Sequence, residues 1–374
     1  MAEKLQALHE NNTWTIVRLP KEKKAVGSCW VYKTKFHSDG TIERNKARLV
    51  ARGFIQTYGV DYKETFAPVA KMNTVRVLLS VAINNAWPLF QMDIKNAFLH
   101  GELEEEVFMN CLQLILNQTI QKWFANFINP FMVSSKVHVH GDNMSEISAL
   151  KQYLNHKIAI KDLGILKYFI GIEMAHSHKG CFLNQCKYVI DLLREANMTD
   201  CKPARTPLNS DMKLQSHGDL IPNIEYYQRL VNKLIYLTIT RFDIAYAVSL
   251  VSQFIHAPSM DHMKIVHRVL RYLKGSIGRG ILMRNNNHAH ILGYTDTDWA
   301  GNALDHKSIT GFCTFVRGNL VTWKSKKQSM VARSSAEVEY CVMALTACEL
   351  ICLKNLLLDL GFPHQQPLSL YCDN

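Results

Sequence analysis

Residues 72–88, MNTVRVLLSVAINNAWP, are apolar over most of their length and predict a buried helix. The run that follows, FQMDIKNAFLHG at 90–101, predicts a strand ending at Asp93 before a glycine-closed turn. Such a strand delivers one carboxylate to a cleft. Upstream, residues 27–54 predict two strands about the turn HSDGT, because Asp-Gly is a strong hairpin signal. Alternation on the second strand puts Arg44, Lys46, Arg48 and Arg52 on one face, with Ala47, Leu49 and Ala51 on the other. AEKLQALHENN predicts a helix at the start of the chain, and residues 111–145 show no clean periodicity. The pattern resumes at MSEISALKQYLNHKIAIKDLG as a helix with Ser145 placed to cap it. Residues 167–193 read as strand, turn, strand and helix.

The stretch 201–223, rich in Pro, Asn, Ser and Asp, is a connector. Helical segments follow it, the last being MDHMKIVHRVLRYLKGSI. There Lys264, Arg268, Arg271 and Lys274 recur at three- and four-residue steps beside Ile265, Val269 and Leu273. This face suits a helix lying along a phosphate backbone, and a solvated face with snorkelling stems explains it equally well. The final block changes character. HILGYTDTDWAG is a strand ending in acids, ITGFCTFVRGNLVTWKSKK is a hairpin, SSAEVEYCVMALTACELICLKNLLLDLG is one long helix, and LSLYCDN is a strand. The order is β-β-β-α-β, and its helical crossover allows the first and last strands to lie parallel as neighbours. The fold class expected is α/β (α+β), divided as 1–180, 181–285 and 286–374.

Composition narrows the partner. With 374 residues, 48% hydrophobic and 20% charged, the chain is globular with an ample core. A net charge of +11 favours an anionic partner, nucleic acid before a membrane surface. Ten cysteines without a CxxC pair, and no secretory signal, point to a reducing intracellular compartment, cytoplasmic or nuclear. No apolar run approaches the roughly 18 residues of a membrane span, so no membrane partner is expected.

Three acids of the last block sit where a site could form: Asp296 near the end of its strand, Glu337 in the first helical turn, and Asp373 at the last strand. Three carboxylates around a pair of metal ions are a recipe for phosphodiester hydrolysis. Each has a plainer reading. Ser334 and Glu337 fit a capping box, Asp298 competes with Asp296, and Asp373 could be a turn residue. The acid run Glu102, Glu104, Glu105 and Glu106 reads as a solvated turn. Two further sets could in principle hold zinc: His138, His140 and Asp142, and His176, His178, Cys181 and Cys186.

NNTWTIVRLP, KARLVARGFIQTYGVDYKETFAPVAK, QMDIKNAFLHGELEEEVFM, LKYFIGIEM, LIYLTITRFDIAYAVSLVSQF, HRVLRYLKGS, GYTDTDWAG, TGFCTFVRGNLVTWKSKKQ, SSAEVEY and LYCDN occur in one order across nearly the whole chain. In these stretches the chain resembles the reverse transcriptase–RNase H segment of copia-type long-terminal-repeat retrotransposons. The resemblance implies a fingers and palm region, a helical thumb or connection, and an RNase H-like domain. It implies that Asp93 is the first polymerase aspartate, a Mg²⁺ ligand of a two-metal site. By the same resemblance Phe98 is the gate that excludes a ribose 2′-OH, Arg48 with Lys46 contacts the nucleotide triphosphate, and YFIGIE is the primer-grip turn. Asp296, Glu337 and Asp373 match the RNase H acids. The implied partners are an RNA template, a DNA primer, their RNA–DNA hybrid, and deoxynucleoside triphosphates.

The sequence also departs from the family. The second palm motif, Tyr-Val-Asp-Asp, which completes the polymerase metal site, is absent, and VHVHGDNMSEISALKQYL occupies its place. His138 and His140 stand near the lost Tyr and Asp positions, and imidazole is a poor ligand for a hard cation. Asp142, beside a glycine, is a weak substitute. An internal deletion near 110–142 is expected, with polymerase activity lost. The family's RNase H fold continues past the CDN strand with helices, a strand and a fourth acid, so doubtful hydrolysis is expected as well. The alternative is a non-catalytic remnant that binds an RNA–DNA hybrid through its basic fingers and the 262–274 helix.

Overall fold

The computed structural model describes residues 6, 14–15, 20–21, 25–36, 41–51, 71–94, 107–108, 121–123, 144–157, 160–209, 219–301 and 305–373. The fold is mixed α/β. Its elements run β1 (Trp14–Thr15), β2 (Ser28–Phe36), β3 (Ile42–Ala51), α1 (Met72–Asn84), β4 (Phe90–Ile94), β5 (Val107–Phe108), β6 (Gln121–Trp123), α2 (Met144–Lys157), β7 (Ile160–Ile165), β8 (Tyr168–Phe169), β9 (Ile172–Ser177) and β10 (Gly180–Asn184). They continue as α3 (Cys186–Glu195), α4 (Ile224–Leu237), α5 (Ala245–Ser252), α6 (Met260–Lys274), β11 (Gly280–Met283), β12 (Ile291–Asp298), β13 (Ile309–Val316), β14 (Asn319–Lys327), α7 (Ser335–Asp359) and β15 (Ser369–Tyr371). The chain divides into two compact units, Met1–Val69 with Met92–Leu163, and Ala70–Gln91 with Gly164–Asn374.

In the first unit β2 and β3 form the expected antiparallel hairpin, with Tyr32 opposite Ala47 and Lys33 opposite Lys46. Alternation holds along β3: Ala47 and Leu49 are half-buried while Arg44, Lys46 and Arg48 are exposed. β1, β6 and β5 form a small sheet. α2 begins at Met144, so Ser145 lies inside its first turn instead of capping it. The expected helix at 2–12 and the aperiodic segment before Met144 lie outside the described residues, apart from Gln6 and β6.

Among the described residues the second unit has three apolar clusters. In the first, α3, α4, α5 and α6 bury Leu192, Leu230, Leu234, Val248, Val266 and Leu270 together. Their ends are closed locally. The Asn223 side chain accepts the Tyr226 N–H at 2.8 Å, and the Ser259 N–H donates to His262 Nδ1 at 2.9 Å. The second cluster joins Val77 and Val81 of α1 to Ile291, Val316 and Val321 of the sheet and Leu350, Leu353 and Leu357 of α7. The third packs Leu79 of α1 against β9, β10 and β11. A polar seam reinforces this seating of α1. Arg76, 5% exposed, donates to the carbonyls of Val321 at 3.0 Å and Ile239 at 2.8 Å and stacks 3.9 Å above the Trp323 ring. Burial pushes its guanidinium down to about 10.

β11 joins β10 antiparallel and extends the order to β11-β10-β9-β8. The amino-acid pattern does not separate β11 from the end of α6, because a four-residue apolar piece has too little periodicity. The last sheet has the order β14-β13-β12-β15, with β15 parallel to β12. The β13–β14 turn is Arg317-Gly318 with φ of 52° and 74°, the left-handed pair a two-residue hairpin requires. By length and composition α7 could cross a membrane. In this unit it is the crossover between β14 and β15, burying Val338, Val342, Thr346 and Leu350.

Candidate active site and nucleic-acid surface

β12 and β15 pair through Leu292 with Ser369, Gly293 with Leu370 and Tyr294 with Tyr371. The two tyrosine rings stack at 5.2 Å. Two residues beyond Tyr294 comes Asp296, still on β12, and two residues beyond Tyr371 comes Asp373, past the end of β15. Alternation places Asp296 and Asp298 on the face that carries Tyr294. The other face meets α7: a Cβ on Gly293 would lie 3.0 Å from Thr346 and 3.3 Å from Leu350. Asp296 and Asp373 are both exposed. Asp298 is exposed as well, with its carboxylate against Gly301, where a Cβ would fall 1.7 Å from its Oδ2. Burial, then Asp298, pushes the phenol of Tyr246 up.

Glu337 makes the capping contacts that its position offers. Its N–H donates to Ser334 Oγ at 3.2 Å, and its Oε2 accepts the Arg333 N–H at 2.7 Å. The carboxylate therefore closes the head of α7. Among the described residues no group of three or more His, Cys, Asp or Glu side chains is placed to hold a metal ion. Asp296, Glu337 and Asp373 each carry the hard oxygen donors a divalent cation takes, and they form no such group among the described residues.

Asp93 is exposed on β4. Phe98, His138, His140 and Asp142 lie outside the described residues. The second zinc set does not converge. His176 Nε2 contacts the Leu166 carbonyl at 2.9 Å, Cys186 Sγ donates to the Ile277 carbonyl at 3.4 Å, and Cys181 is fully buried with its thiol pushed up to about 11 by that burial.

The hairpin register reveals cations that the alternation of β3 alone does not. Lys33 and Lys35 of β2 stand opposite Lys46 and Arg44, and Val31 stands opposite Arg48. Like charges directly across a ladder repel, by about 0.2–1 kcal/mol per pair. Only the pairing register carries this signal; β2 by itself shows two ordinary lysines.

The basic row on α6 has a different surrounding from the one its periodicity suggests. Arg268 Nη2 donates to Thr206 Oγ1 at 2.9 Å, Arg271 Nε donates to the Lys202 carbonyl at 2.7 Å, and Lys274 Nζ donates to the Thr199 carbonyl. Lys264 pairs with Asp261 at 2.8 Å. The face thus seats the 199–206 connector along the helix. Gly275 permits the close approach, since a Cβ there would lie 3.1 Å from Pro203.

Comparison with known proteins gives the family. A family profile described as reverse transcriptase (RNA-dependent DNA polymerase) matches residues 11–118 and 127–210, about half the chain. The chain is 34% identical to the retrovirus-related Pol polyprotein from transposon RE2 of Arabidopsis thaliana, over all of this chain and 29% of that protein. It is 32% identical to the Pol polyprotein from transposon TNT 1-94 of Nicotiana tabacum, over all of this chain and 32% of that protein. It is also 40% identical over 56% of its length to an uncharacterized mitochondrial protein of Arabidopsis thaliana, covering 88% of that relative. The chain spans less than a third of the length of the Pol polyproteins it matches. The RE2 alignment extends over 421 positions against 374 residues here, a surplus of 47. The chain belongs to the reverse transcriptase family, on its copia-type Pol polyprotein branch.

Proposed function

We propose that this chain is the reverse transcriptase–RNase H segment of a copia-type Pol polyprotein whose polymerase site has lost its second half. The observation that carries the reading is in the sequence: after Asp93 no paired aspartates follow, and VHVHGDN stands where they belong. The 47-position surplus of the RE2 alignment accords with residues missing from this chain. In this reading β2 and β3 are fingers, the 181–285 helices are thumb or connection, and 286–374 is the RNase H-like part. Lys46 and Arg48 lie on the nucleotide side, with Phe98 as the sugar gate.

Asp296 and Asp373 would hold a divalent cation, Mg²⁺ by family. When bound, such an ion stabilises charge on the oxygens of a cleaved phosphodiester. The chain's own contribution is to bring Asp296, on β12, and Asp373, two residues past β15, to the same end of a parallel strand pair. With Glu337 engaged on the Arg333 N–H, hydrolysis of an RNA–DNA hybrid is weak or absent. The compartment is intracellular and reducing, cytoplasmic or nuclear.

The test is primer extension by the purified chain on an RNA template, with Mg²⁺ and deoxynucleoside triphosphates. No extension is expected. Extension that disappears in D93N would overturn the reading. A second reading, binding of an RNA–DNA hybrid without catalysis, is favoured by the like-charge register of Lys33 and Lys46. It predicts hybrid binding that weakens steeply with salt and persists in D93N and D296N.

A further inference from the structure

A cavity of about 170 Å³ lies away from the acids, where the β13–β14 turn meets the loop after α7. Its apolar walls are Leu357, Phe362 and Pro363, and its polar groups are Arg317 and His364. Gly361 has φ of 83° and nothing within 4 Å of a Cβ position, so that side is open.

Arg317 is fixed in place without an acidic partner. Its guanidinium lies 5.2 Å from the centre of the Phe362 ring, and its Nη1 donates to the Asn85 amide oxygen at 3.3 Å. No carboxylate among the described residues pairs with it. Burial pushes this guanidinium down, as expected for a cation held partly out of water.

His364 is only 8% exposed, and its Nε2 has no hydrogen-bond partner. A buried polar atom left unpaired is costly and uncommon in a folded chain. Burial, then Lys354 and His290, holds the imidazole below its ordinary value, and backbone hydrogen bonding at Ala289 and Pro367 acts more weakly in the other direction. Both charged neighbours that act on it are therefore basic. The cavity joins a guanidinium without a carboxylate partner to a buried imidazole Nε2 without a hydrogen bond, in a basic surrounding.

We propose that this cavity binds a compact phosphate group, held between the Arg317 guanidinium and the His364 imidazole. An anion there gives the guanidinium a counter-charge and the imidazole Nε2 a hydrogen bond. The two donors come from different elements, which suits a tetrahedral oxyanion with oxygens facing both; a planar carboxylate is satisfied by the guanidinium fork alone. The volume is close to that of a benzene-sized cavity, about 150 Å³, enough for a single phosphate and not for a nucleoside. Free inorganic phosphate and the terminal phosphate of a nucleic-acid strand share this chemistry. The site is independent of the reverse transcriptase reading.

The experiment is calorimetric titration of the whole chain with inorganic phosphate at pH 7 and constant ionic strength, repeated for R317Q and H364Q. Wild-type binding should weaken about tenfold or more in either variant. In parallel, the His364 ring proton resonances of the wild type, followed by NMR, should move with phosphate. An unmoved His364 resonance, or equal affinity in wild type and both folded variants, overturns the proposal even if phosphate binds elsewhere. A 5′-phosphorylated oligonucleotide that shifts the His364 resonance where its unphosphorylated twin does not assigns the site to a strand end. A shift with inorganic phosphate alone assigns it to the free ion.

Discussion

Tyr371 of β15 stacks on Tyr294 of β12 at 5.2 Å, with Asp373 two residues beyond the one and Asp296 two residues beyond the other. Two carboxylates so placed share a cation better than either does alone, and Asp298 has its carboxylate against Gly301. D296N is therefore expected to weaken Mn²⁺ binding about tenfold, measured by water proton relaxation, while D298N changes it less than about threefold. Equal losses in the two variants would show that the strand pairing does not select the ligand.

Asp243 is the acid on which the helical core depends. It accepts from Arg241 through Nε at 2.9 Å and Nη2 at 2.8 Å, and from the Tyr272 hydroxyl at 2.7 Å. Burial pushes its carboxyl up, and the Arg241 and Tyr272 hydrogen bonds outweigh this and leave it below the usual carboxylate range. A depressed folded-state value means the stabilisation is present above the unfolded value of about 3.9 and is lost as pH falls through the folded value. D243N leaves Arg241, 2% exposed, without its counter-charge. It should cost about 2–4 kcal/mol at pH 7 in urea melts. It should also flatten the loss of stability below about pH 4. Parallel acid limbs for wild type and D243N would refute the linkage.

Parts of this architecture were legible in the sequence for physical reasons. The parallel β12–β15 pair follows from a single long helix between two strands, because parallel neighbours need a crossover. The β2–β3 hairpin follows from Asp-Gly and two-residue alternation. Periodicity shows which face of an element is polar, not what that face meets. The α6 cations were therefore visible and their connector partners were not. The seating of α1 was invisible for the same reason. Ser80 donates to the Val316 carbonyl across 236 residues of sequence, at 2.8 Å, and no local pattern records that bond. Glu337 remained two-sided in the sequence because a capping box and a metal ligand use the same residue at the same position.

The seating of α1 leads to a prediction about where the second unit begins. Val77 and Val81 fill the cluster made by Ile291, Val316, Val321 and Leu353, and Arg76 spans Val321, Ile239 and Trp323. A chain of residues 164–374 alone should expose this apolar seam. It should bind a hydrophobic dye and give poorly dispersed amide spectra, and a fusion restoring 70–91 should reverse both. In the full chain R76A leaves two carbonyls without their donor and should cost about 2–4 kcal/mol, with R76K recovering only part because lysine lacks the fork. A well-dispersed spectrum from 164–374 would show that α1 is dispensable.

The hairpin gives the sharpest test of polyanion binding. Lys33 opposite Lys46 and Lys35 opposite Arg44 place like charges directly across the ladder, and Arg48 continues the same face of β3. Such pairs oppose hairpin formation by about 0.2–1 kcal/mol each, and a line of phosphates removes the repulsion. Replacing one side should leave the hairpin as stable or slightly more so while weakening nucleic-acid binding. For an RNA–DNA hybrid, the slope of log affinity against log salt should fall in K46A/R48A by about 1.4–1.8, near 0.7–0.9 for each phosphate no longer neutralised. Fluorescence anisotropy across a salt series measures the slope, and thermal melts report the hairpin. A variant whose slope matches wild type would remove this face from the binding surface, because a cation that neutralises a phosphate releases counterions, and its removal must lower the slope.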